Sequence, residues 1–83
     1  MVNKLCEPGT VVTEALATAE RVANCAPLSV RQAKKSIHFG LQTDLATGYR
    51  LELEAYYRLL DTEDRREGIA AFNEKRKPAF KGR

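Results

Sequence analysis

The 83-residue chain has no tryptophan, one histidine, two cysteines and no apolar run near the roughly 18 residues that span a bilayer. Each shortage removes a class of protein. Without a long apolar run there is no membrane-spanning helix to expect. The opening "MVNKLCEPGT" lacks the apolar stretch of a secretory signal, so the expected compartment is the cytoplasm. Cys6 and Cys25 are too few and too far apart for a disulfide framework, and they read as reduced, small packing residues. With His38 as the lone imidazole they match no metal-ligand spacing, so no metal site is expected.

Catalytic patterns are also missing. There is no glycine-rich phosphate loop and no GxSxG elbow. His38 has no nucleophile near it in sequence and reads as a helix-end side chain half in solvent. Glu52 and Glu54 point to different sides of a helix, which makes them poor acid–base partners. Asp64 and Glu67 are i, i+3 neighbours, but Arg65 and Arg66 stand beside them, and surface ion pairing is the expected role. No catalytic residue is assigned.

What is present is helical. A chain this short buries only about 60–65% of the surface its unfolded form exposes, which makes its stability marginal on its own. "VNKLC" is a short extended stretch closed by Glu7-Pro8-Gly9, a turn signal. Thr10 is the candidate N-cap of a first helix, with Val12, Ala15, Leu16, Ala19, Val22 and Ala23 at helical spacing. Pro27 opens a second helix that Gly40 stops. Asp44 caps a third, "LATGYRLELEAYYRLL", where Gly48 permits a close helix approach. A fourth follows Asp61 or Thr62, carries Ile69 and Phe72 on its buried side with Gly68 allowing close packing, and ends at Pro78. The expected fold is all-α: a small bundle of three to four helices after a short N-terminal extended segment. The expected divisions are residues 1–9, extended segment and turn; 10–77, helical domain; 78–83, basic tail. The third helix is apolar on more than one stripe, and so short a chain cannot easily cover all of it; a partner surface is expected.

Charge is concentrated at one end. Lys75, Arg76, Lys77, Lys81 and Arg83 put five cations and no acid in the last nine residues, while the rest of the chain holds nine basic and eleven acidic side chains. A DNA-binding domain spreads basic residues over a docking face. Here the positive field is local, which suits a small anion, a short contact, or a solvated tail. Phe72 and Lys75, three residues apart, would share one side of a helix and could meet a purine face and a phosphate together. The competing reading leaves Phe72 in the core, Lys75 in solvent and Phe80 as a loose anchor.

At these residues a resemblance enters. "TEDRREGIAAFNEKRKPAFKGR" resembles the end of crotonase-superfamily chains, the enoyl-CoA hydratases and isomerases, with the pattern D-x-x-E-G-x-x-A-F-x-E-K-R-x-P-x-F. Asp64, Glu67, Gly68, Ala71, Phe72, Glu74, Lys75, Arg76, Pro78 and Phe80 match it. "ANCAPLSVRQAKKSI" is similar to the family's A-P-x-[AS]-V-x-x-x-K helix at Ala26, Pro27, Ser29, Val30 and Lys34, and "VNKLCEPG" looks like its last short strand and turn. Met1, where the family has an apolar strand residue, points to a truncated chain. The resemblance implies the C-terminal helical domain of an enzyme acting on acyl-CoA thioesters, serving trimer assembly and covering the coenzyme A site. The spiral core, with its oxyanion hole and catalytic acids, is not in this stretch. By motif position Phe72 and Lys75 are the coenzyme A contacts; no tightly bound cofactor is implied, and coenzyme A enters as the parent enzyme's thioester substrate. The partners implied are the core domain or further copies of the chain, and acyl-CoA; no membrane and no dedicated nucleic-acid site. The alternatives are a stand-alone helical self-association module and, behind it, a weak nucleic-acid-binding protein.

Overall fold

The computed structural model describes residues 2–83, so Met1 and the expectation attached to it lie outside the described residues. Four helices follow one another: α1 Val11–Ala23, α2 Pro27–Gly40, α3 Leu45–Tyr57 and α4 Glu63–Asn73. The fold is all-α, and the described residues ahead of α1 form neither helix nor strand. Among the described residues no strand forms, so the stretch that resembles a family strand has no sheet partner here.

Local chemistry explains the helix starts. Glu7 to Thr10 make a turn with Pro8 second and Gly9 third, at φ 82°, closed by the Thr10 N–H donating to the Glu7 carbonyl at 3.0 Å. That is the type II geometry for which glycine is the natural third residue. Thr10 holds the N-cap position of α1 without capping by its side chain; its hydroxyl donates backwards to the Glu7 carbonyl at 2.8 Å. Ala26, ahead of Pro27, is held out of the α region at ψ 118°. Asp44 caps α3 as expected, accepting from the Thr47 N–H at 3.0 Å and its hydroxyl at 2.6 Å. Of the two candidates for α4 it is Thr62 that caps, accepting from the Arg65 N–H at 3.2 Å.

Among the described residues one helix pair is closely packed. α2 and α3 pack along each other. Gly40 and Gly48 meet at one end of that seam: a methyl added at Gly48 would lie 3.6 Å from the Gly40 carbonyl oxygen. Ala55 of α3 and Ala71 of α4 are the buried apolar residues among those described, while large side chains on every helix, such as Leu16, Ile37, Tyr49 and Tyr56, stay exposed. The radius of gyration is 16.0 Å, against about 12 Å for a compact domain of this length. The extents, 44 × 40 × 18 Å, describe a plate. Cys25 is exposed rather than a packing residue, its thiol turned to the Arg21 carbonyl at 3.4 Å.

Three further sequence expectations change. α3 stops at Tyr57, leaving Leu59 and Leu60 in the following turn. α4 stops at Asn73, well before Pro78, because a proline limits a helix without requiring it to reach that far. The side of α4 that is buried carries Asp64 and Ala71; Ile69 is 51% and Phe72 84% exposed.

Candidate functional site

The site is the C-terminal end of α4 and the tail that follows it. After Asn73 the chain reverses in a Schellman turn: the Lys75 N–H donates to the Phe72 carbonyl at 3.2 Å and the Arg76 N–H to the Ala71 carbonyl at 3.0 Å. The turn needs a left-handed residue, and Lys75 supplies it at φ 54° where glycine is usual. Phe72 and Lys75 therefore flank the reversal rather than sharing a helical face. The i, i+3 geometry expected for them does not form, because the second residue lies beyond the helix.

The tail is fastened to α4 by carboxylates of that helix. Arg76 donates to Glu67 through both terminal nitrogens, at 2.6 and 2.9 Å, and through Nε to Glu74 at 2.5 Å. The Ala79 N–H reaches the same Glu67 carboxylate at 2.7 Å. One turn earlier, Asp64 is 3% exposed and accepts the Lys81 and Gly82 N–H groups at 2.6 and 2.7 Å, while its own N–H donates to the Arg83 carbonyl at 2.9 Å. Arg83 pairs with Glu63 at 2.9 Å. The Phe80 ring lies over Gly68, where an added methyl would meet it at 3.6 Å, and Gly82, at φ 76°, packs on Pro27. The expected surface pairing of Asp64 and Glu67 with Arg65 and Arg66 is replaced by these longer-range bonds. The guanidinium of Arg76, then the Ala79 amide, hold the Glu67 carboxyl at about 2, well below an ordinary glutamate. The same ion pair, with Glu67 first and Glu74 second, raises Arg76.

Two open grooves border this strap. One of about 460 Å³ is lined by Ile69, Phe72 and Phe80 together with Ala26 and Ser29 at the start of α2. The other, of about 530 Å³, is lined by Arg66, Arg76 and Lys81 together with Glu63, Asp64 and Glu67. His38 stands apart, its ring edge-on to Phe39 with centroids 5.1 Å apart and its Nε2 3.3 Å from the Gln42 amide nitrogen. Among the described residues no three histidine, cysteine or acidic side chains gather to hold a metal, and no helix is long and apolar enough to cross a membrane.

Comparison with known proteins decides the family. The family model described as enoyl-CoA hydratase/isomerase matches residues 1–83, the whole chain. The chain belongs to this family. The mitochondrial enoyl-CoA hydratase of Pongo abelii is 40% identical over 98% of this chain and 28% of its own length. The enoyl-CoA hydratase structure from Bacillus anthracis superposes with a TM-score of 0.87 at 43% identity, covering 89% of this chain and 29% of that one. The one from Mycobacterium tuberculosis gives 0.91 at 32% identity, covering 99% and 32%. The helical arrangement is thus that of a part of the crotonase fold, and the chain spans under a third of the length of these relatives. Residue reasoning alone missed Asp64 and Glu67 as the tail's anchors. Their only signal lay in the spacing of the crotonase terminal pattern.

Proposed function

We propose that this segment is the C-terminal helical domain of an enoyl-CoA hydratase/isomerase enzyme acting on acyl-CoA thioesters, serving assembly and covering the coenzyme A site. Phe72 and Lys75 are its coenzyme contacts; the oxyanion hole and catalytic acids belong to the core domain. The observation that carries this reading is the exposure of Phe72. A phenylalanine left 84% exposed beside an apolar groove and a fixed cationic turn suits a flat ring with phosphates attached. The test is a titration of the isotope-labelled chain with coenzyme A, followed by amide shifts. Shifts confined to Phe72, Lys75 and their neighbours are expected; shifts elsewhere, or none at millimolar coenzyme, refute the reading. The same preparation given crotonyl-CoA should leave the enoyl absorbance unchanged, and steady turnover would show that the chemistry does not need the core.

Self-association is a second reading, favoured by exposed apolar side chains on α1 and α3. Nucleic-acid binding is disfavoured by the tail's own pairings. Arg76 and Arg83 are bonded to carboxylates, which leaves three of the five tail cations for a polyanion.

A further inference from the structure

We infer that Glu67, seconded by Asp64, is a positioning residue that fixes Lys75 for an anionic ligand bearing a terminal phosphate. The inference rests on the coenzyme reading of Lys75 given above. A lysine in a left-handed turn is held against its own preference, so something on each side of it must be fixed. On the near side the Schellman bonds tie it to α4. On the far side Glu67 does so, since the residue after Lys75 is the arginine it grips with two parallel bonds. The same carboxylate takes the Ala79 N–H, and Asp64 takes those of Lys81 and Gly82. Residues 76–82 have no helix or strand of their own. These two acids therefore set the path of the chain leaving Lys75. The arrangement also sorts the charges: Arg76 is neutralised by Glu67 and Glu74, whereas Lys75 has no carboxylate partner among the described residues. Two adjacent cations are thereby given separate tasks, one fastening the strap and one free for a phosphate.

The experiment uses the isotope-labelled 83-residue chain, with coenzyme A and 3′-dephospho-coenzyme A as probes. In the native chain the Lys75 amide-to-α-proton coupling and Cα shift should carry the left-handed signature. Loss of one exposed charge contact predicts roughly two- to five-fold weaker binding of the dephospho form. Glu67→Gln should move the Lys75 signals to averaged values and bring the ratio of the two dissociation constants to about one. Arg76→Ala, which breaks the fork from the other side, should do the same, with unchanged α2 and α3 amides showing that the fold persists. Lys75→Ala should abolish the ratio while leaving the Ala79 amide in place, and combining it with Glu67→Gln should add nothing. A global loss of structure would weaken both probes alike and could not remove the ratio selectively. A Lys75 signature or a ratio that survives Glu67→Gln overturns the positioning role. If the native chain binds neither probe, the coenzyme reading falls and takes the proposed ligand with it, while the Lys75 signals alone still show whether Glu67 holds the turn.

Discussion

Asp64→Asn should unfasten the last three residues without unfolding the helices. The carboxylate is almost wholly buried and receives two backbone N–H groups, at 2.6 and 2.7 Å. Hydrogen bonds to a charged group contribute about 1.5–3 kcal/mol each. Asparagine keeps one oxygen, so one bond survives as a weaker neutral one, and its NH₂ turns a donor toward the other N–H. The released amides find water because the tail lies at the surface, so no orphaned buried donor adds to the cost. A net loss of about 2 kcal/mol follows, a roughly thirty-fold rise in the open population of the strap. Two measurements read it: amide hydrogen exchange at Lys81 and Gly82, and the rate of tryptic cleavage after Lys81. Asp64 also lies in the first turn of α4, where any negative charge favours the helix, so Glu63→Gln is the control. Glu63 touches the tail only through an exposed pair with Arg83, and its loss should change exchange by less than about five-fold. An Asp64→Asn effect no larger than the control would show that the two short bonds do not hold the tail.

Gly48→Ala should stabilise the chain by up to about 1 kcal/mol in urea unfolding, since the new methyl makes ordinary contact at 3.6 Å and alanine is the better helix former; a loss would mean that the α2–α3 seam needs the bare backbone. Lys75→Gly should leave the turn in place and raise stability by roughly 0.5–1 kcal/mol, because glycine adopts the left-handed conformation freely; destabilisation would show that the lysine side chain itself supports the fold. Glu67 has a depressed carboxyl, so its contribution is complete above the unfolded glutamate value of 4.5 and is lost as pH falls toward about 2. The Ala79 amide shift should therefore hold through pH 4 and move only near the bottom of that window, and a midpoint at 4.5 would refute the ion-pair geometry. Sedimentation of the chain over a range of micromolar concentrations should show reversible self-association through the exposed apolar faces, and a clean monomer throughout would count against it.

How much of this could be read from residues depends on the range of the interaction. Pro27, Asp44, Thr62 and the Pro8-Gly9 turn act within four residues, and all four positions were legible from local chemistry. Gly48 was legible too, as a small residue inside an otherwise bulky helix. Glu67 was not. Its partners lie nine and twelve residues on, and Asp64 meets groups seventeen and eighteen residues away. Local reading sees Arg65 and Arg66 first and assigns the acids to them, and it has no means of knowing that the chain reverses after Asn73. Phe72 failed for a related reason: helical periodicity assigns it a face, while burial depends on what lies opposite. In this chain the apolar residue of α4 that is buried is Ala71, one position along.

The cationic tail shows why composition misleads at this scale. Five positive charges in nine residues look like a surface for a polyanion, yet the acids that answer them stand just upstream in space as well as in sequence. Glu63, Glu67 and Glu74 take up Arg83 and Arg76, and Asp64 binds the tail's backbone rather than its charge. A carboxylate that accepts amide hydrogens is indifferent to which side chains those residues carry, so the cations at Lys77 and Lys81 are not needed for the strap. Replacing both with alanine should leave the Lys81 and Gly82 positions as slowly exchanging as before. Faster exchange there would mean that charge, and not the backbone grip of Asp64, holds the tail against α4.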